Sequence, residues 1–213
     1  MPWQNRVTPT GEIISHKMRG LFMGNRGILH DDHGQLGISR WKHPHWIICL
    51  TEFRNRHRVV MSPRRYTELF FLDEAVALAA GHRPCAECRR LEYNQYLVAV
   101  SDTFDEGPPK AAELDRRLQN ERVSRLRQQI THQAPVTVLP NGTMLRLADD
   151  ANQIRLRVGN RLLLWTMESY IDDGMVVHQP GGERSAEVLT PPTSVRALLA
   201  GYQPVLHPSA RHG

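Results

Sequence analysis

Residues 69–90 read "LFFLDEAVALAAGHRPCAECRR", Leu69 to Arg90, and they decide most of what the chain can be. Asp73 is a residue type that caps helix N-termini, Glu74 places an acid in the first turn, and alanines run to Ala80. Gly81 stands where a helix would end in a left-handed cap. The pair Cys85-Ala86-Glu87-Cys88 therefore falls on the turn after a short helix, and "RRLEYNQYLVAV" from Arg89 starts a second one.

A Cys-x-x-Cys turn supplies two of the four ligands that a structural zinc ion needs. Cys49, within the apolar stretch Trp46 to Phe53, is the only other thiol in the sequence. The fourth ligand then has to be a histidine or an outside group. His57 is the first choice, because a turn at 54–57 joining strands 46–53 and 58–61 in a hairpin brings it to the same sheet edge; His82, His45 and His43 are its rivals. A redox role fits less well, since thioredoxin-type pairs sit between a strand and a following helix, whereas a helix precedes this one. Inert packing is opposed by the polar neighbours Arg83, Glu87, Arg89 and Arg90. Pro84-Cys85-Ala86-Glu87-Cys88 also satisfies the second half of the zinc-deaminase signature. The first half fails, because Glu52 stands three residues after Cys49 rather than two.

Residues 69–90 resemble the metal-binding domain of Ada, the bacterial repair protein for methylated DNA, and related Ada-like zinc modules. The match runs through Phe70, Phe71, Glu74, Ala75, Ala79, Ala80, Gly81, Arg83, Pro84, Cys85, Cys88 and Arg89. The resemblance implies a zinc module acting on DNA, with two further ligands upstream, and His57 lies near the expected distance before Cys85. It departs from the four-cysteine form at that point. In Ada an upstream ligand cysteine also accepts a methyl group from DNA phosphotriesters, a role that only Cys49 could fill here. The Pro-Cys-His-Arg motif of the alkyltransferase domain does not occur in the sequence.

Charge supports a nucleic-acid partner. Of 27 basic residues 24 are arginine, and the formal net charge is +5. Arginine grips phosphate with a planar fork and stacks on bases. Arg54, Arg56, Arg58, Arg64, Arg65, Arg83, Arg89 and Arg90 all fall near the proposed metal module and are the candidate phosphate contacts. A GC-rich genome would also raise arginine content, and solvated surface charge is the plain alternative.

Two other groups could carry chemistry. His30-Asp31-Asp32-His33 offers ligands for a divalent ion in a nuclease, and Glu68 could act as a general base.

The chain reads as an α+β protein in three parts. Residues 1–105 form the Ada-like metal-binding part, and residues 110–132 a basic amphipathic helix with apolar positions at Leu114, Leu118, Val123, Leu126 and Ile130. Residues 136–213 form a small antiparallel β-domain with hairpin signals at Asn141-Gly142, Asp149-Asp150 and Gly159-Asn160, ending in a short helix at 194–200. No stretch approaches the ~18 apolar residues of a membrane span, and the N-terminus lacks a secretory pattern, so a cytoplasmic location is expected. The expected function is a zinc-binding protein that contacts DNA in repair or processing, the metal mainly structural. The rivals are a metal-dependent enzyme on nucleic acid, either nuclease or divergent deaminase, and a partner-binding module using the β-domain.

Overall fold

The computed structural model describes residues 2–55, 59–105, 107–178 and 182–211. It is an α+β structure built on two mixed or antiparallel sheets. The first holds β1 (Gln4–Val7), β2 (Ile13–Ser15), β3 (Phe22–Asn25), β4 (Ile47–Leu50), β5 (Leu69–Phe71) and β6 (Arg83–Pro84), in the order β2-β1-β5-β3-β4-β6. Its β1–β5 and β4–β6 pairs are parallel and the rest antiparallel. The second holds β7 (His132–Pro135), β8 (Met144–Leu147), β9 (Asp150–Val158), β10 (Arg161–Trp165), β11 (Tyr170–Ile171) and β12 (Ser185–Val188). Its order is β11-β10-β9-β8-β12-β7, and each pairing is antiparallel.

Helix α1 (Glu74–Ala79) is buried along its whole length, which the apolar run Ala75–Ala79 requires, and its one charged residue, Glu74, is buried with ion-pair and hydrogen-bond partners. Asp73 caps it by accepting a hydrogen bond from the Val76 amide at 3.0 Å. At the other end Gly81 has φ +84°, its amide donates to Leu78 O, and His82 N donates to Ala77 O, the two bonds of a Schellman cap. A β-carbon on Gly81 would come within 2.5 Å of the Arg122 side chain, so the position requires glycine on two counts. α2 (Arg90–Val100) follows the cysteine turn as expected.

Several boundaries differ from the sequence reading. β4 pairs with β3 and β6, and the described residues 59–61 form turn rather than a second hairpin strand. α3 (Ala111–Arg122) stops at Val123 instead of continuing to Ile130. There Ser124 Oγ accepts from the Leu126 and Gln128 amides, bonds that compete with a helical backbone. Leu126 is 80% exposed, so the apolar repeat beyond the helix does not face the core. Asn141-Gly142 leads into β8 without a preceding strand, whereas Gly159-Asn160 is a two-residue hairpin loop between β9 and β10. The terminal helix α4 spans Pro192–Leu199.

One apolar cluster runs through both sheets. It contains Ile48, Leu69 and Phe71 of the first, α1, Tyr96 and Leu118, and Met144, Leu156 and Leu163 of the second. Burial against α1 is what seats the cysteine turn, because the chain leaves the capped helix directly into β6 and the turn.

Candidate metal centre

β4 and the turn after β6 bring the thiols together. In β4 side chains alternate, so Ile48 enters the core with 0% exposure while Cys49 faces the other side. Beside it the parallel β6 registers Pro84 against Ile48, and Cys85 N donates to Ile48 O at 2.9 Å. The turn then returns Cys88 towards the end of β4, where Leu50 N donates to Cys88 Sγ at 3.4 Å. Glu87 N donates to Cys85 Sγ at 3.4 Å. The three sulfurs lie within 4.8 Å of one another. An ion held tetrahedrally by thiolates at about 2.3 Å spaces its sulfurs by about 3.8 Å, well inside that bound. Cys49, Cys85 and Cys88 could therefore bind a metal ion.

The proton balance of the trio fits a cation. Hydrogen bonds from Cys49 and then Cys88 pull the Cys85 thiol down to about 2. Hydrogen bonding to Cys85 and Cys88, with burial, pushes the Cys49 thiol far up. At Cys88 the bond to Cys49 lowers the thiol, but Cys85 and burial outweigh it and the net direction is upward. The set titrates as a unit: one thiolate is held by two S–H donors, and further ionisation is opposed by the charge already there. A bound cation is what makes three thiolates compatible, so metal binding here releases protons.

His57 lies outside the described residues. Its three rivals are placed elsewhere: among the described residues the ligand group contains no histidine. His82 is wholly buried and accepts from Arg26 Nε at 3.3 Å. His45 Nδ1 pairs with Asp115 Oδ2 at 2.6 Å, and His43 packs against the His45 ring at 5.7 Å.

A cavity of about 350 Å³ opens over the sulfurs, walled by Met23, Phe53, Tyr66, Glu68 and Phe70 among others. Glu68 is 2% exposed and its Oε2 accepts from the Met61 amide at 2.8 Å. No partner for Glu68 is discernible in the sequence, whereas the fold gives it a backbone anchor and a place in the wall of the thiol cavity.

The candidate phosphate contacts divide. Arg83 and Arg89 correct the expectation that they contact phosphate, because both are buried in ion pairs. Arg83 meets Asp115 through Nε at 2.8 Å and Nη2 at 2.8 Å, and Arg89 meets Glu74 through Nη1 at 2.8 Å and Nη2 at 2.9 Å. Arg54, Arg64, Arg65 and Arg90 are exposed. Arg54 lies over the Phe53 ring at 4.9 Å, and Arg64 stands 3.9 Å from Asp32. Arg56 and Arg58 lie outside the described residues.

The His30–His33 loop is committed to structure. His30 Nδ1 pairs with Thr67 Oγ1 at 2.7 Å and its Nε2 with Ser62 O at 3.2 Å, while Asp31 Oδ1 accepts from the His33 and Gln35 amides at 2.9 Å. Both imidazole nitrogens and one Asp31 oxygen are thus occupied, which corrects the nuclease-site expectation. Glu52 is exposed. Among the described residues no helix is long and apolar enough to cross a membrane. Compared with protein families, with characterised proteins and with solved structures, the chain shows no match.

Proposed function

We propose that this chain is a zinc-binding protein that contacts DNA, in repair or in processing, with the metal acting mainly as a structural tie. The observation that carries the reading is the convergence of Cys49 with Cys85 and Cys88, one strand and one turn meeting at three sulfurs. Thiolate ligands favour zinc over the hard cations magnesium and calcium. The ion would lock the end of β4 to the start of α2, and its binding energy would enter the folding energy. Exposed Arg54, Arg64, Arg65 and Arg90 border this region in the chain, and guanidinium contacts to phosphate are salt-dependent and largely indifferent to sequence. The Ada-like pattern of residues 69–90 supports the same partner.

DNA affinity measured against salt tests the proposal. Binding should weaken steeply as salt rises, and the fourfold change R54Q, R64Q, R65Q and R90Q should flatten that slope, each lost phosphate contact lowering it by about 0.9. Binding that ignores ionic strength, or that survives the fourfold change, contradicts it. A second reading, an enzyme acting on nucleic acid, draws support from Glu68 in the wall of the cavity over the sulfurs. Turnover of the same DNA that disappears in Glu68→Gln while binding persists would favour that reading.

A further inference from the structure

Trp46, the residue before β4, is buried between two guanidiniums. The guanidinium carbons of Arg26 and Arg122 each lie 3.9 Å from its ring centroid. These arginines are 1% and 2% exposed, yet their hydrogen bonds run to neutral acceptors. Arg26 donates to Gly11 O at 3.0 Å and to His82 Nε2, and Arg122 to Gly81 O at 2.7 Å, Pro44 O at 2.6 Å and the Gln119 amide oxygen. Carbonyl dipoles do not neutralise a buried charge, and an arginine in a protein does not shed its proton. Among the described residues, Arg26 Nη2 and Arg122 Nε are buried without a hydrogen-bond partner. Burial, and then Arg40, hold the Arg26 guanidinium down to about 9, so the site as it stands disfavours the charge it must carry.

Arg26, Trp46 and Arg122 border a cavity of about 420 Å³ whose wall also holds Arg40, Arg127 and Arg146. Five arginines there face two glutamates, Glu12 and Glu187. Glu187 is taken by Arg146 at 3.2 Å and by Thr131 Oγ1 at 2.9 Å. Trp41 contributes a half-buried ring to the same wall, 5.8 Å from Trp46.

We infer that this cavity binds a phosphate group carried on an aromatic base, either a free nucleotide or the end of a nucleic-acid strand. The phosphate supplies negative charge close to the two buried guanidiniums, and the exposed Arg40 and Arg127 side chains in the same wall carry guanidinium donors for its oxygens. The Trp41 ring offers a stacking face for the base, and the volume falls in the range of small-ligand sites. The inference needs neither the metal nor the exposed arginines of the cysteine region, and it stands or falls separately from them.

Calorimetric titration of the full chain with inorganic phosphate, a deoxynucleoside monophosphate, and a short single strand with or without a 5′-phosphate is the test. Arg40→Gln with Arg127→Gln is the main variant, since both side chains are exposed and the fold does not rest on them. The nucleotide should bind, the double variant should weaken it at least about tenfold, or 1.4 kcal/mol, and Trp41→Ala should weaken the nucleotide but not inorganic phosphate. A 5′-phosphorylated strand that binds tighter than the nucleotide identifies a strand end as the ligand; equal or weaker binding identifies the free nucleotide. Absence of binding by phosphate and nucleotide at millimolar concentration, or binding unchanged in the double variant, overturns the inference. Equal affinity for phosphate and nucleotide, untouched by Trp41→Ala, overturns the assignment of a base.

Discussion

Asp115 shows how much can rest on one side chain. Its carboxylate takes both donors of the Arg83 fork and the His45 ring nitrogen, on a helix whose outer face is solvated. Asp115→Ala leaves the Arg83 guanidinium buried without a counter-charge, which costs about 3–5 kcal/mol against a total stability of about 5–15. Urea unfolding should therefore show a large loss for Asp115→Ala and a change within about 0.5 kcal/mol for exposed Arg64→Ala. Equal effects would contradict the division of the arginines into buried and exposed. That division was not legible in sequence. Arginine is an exposed residue type by default, and the partners that bury Arg83 and Arg26 lie 32 and 56 positions away. The cysteine turn was legible because its signals are local: a cap, a glycine and two thiols within one short stretch.

At the scale of elements, α1 is the hub. Its cap Asp73 accepts from the Val76 and His207 amides and from Tyr170 OH, and the adjacent Glu74 takes Arg89, Tyr202 OH and the Val205 amide. Burial outweighs these donors at Asp73 and pushes its carboxyl from the ordinary 3.8 up to about 6. The folded protein then holds a proton there that the unfolded chain has already lost. Asp73 contributes most to stability below about pH 4, and that contribution falls as pH rises to about 6, by roughly 3 kcal/mol. The difference between wild-type and Asp73→Asn stability curves should carry this slope between pH 4 and 6; parallel curves would contradict it. The cap and the Schellman turn followed from residue types, and so did the Gly159-Asn160 hairpin. Strand partners did not, because the apolar run in 46–53 reveals a strand but not that it joins β3 and β6 instead of the residues after it. The end of α3 is hidden in the sequence for a similar reason: the apolar repeat continues past Ser124, where side-chain bonds turn the backbone.

For the molecule as a whole, the three expected parts share a core, with α1 and Leu118 packed in the same cluster as Met144 and Leu156. A metal at the thiol trio would stiffen one edge of that core, where β4, β6 and the start of α2 meet. The site was half legible: spacing marks the Cys85 and Cys88 pair and Cys49 is the only other thiol in the sequence, whereas the cavity over them depends on Phe53, Val60, Tyr66, Glu68 and Phe70, which show no periodic signal. Metal analysis of the protein purified under reducing conditions tests the central claim most directly. The account predicts one zinc per chain, lost in Cys85→Ser together with a fall in melting temperature, and lost likewise when a chelator strips the wild type. Less than stoichiometric metal in the wild type, or full retention in Cys85→Ser, would contradict it.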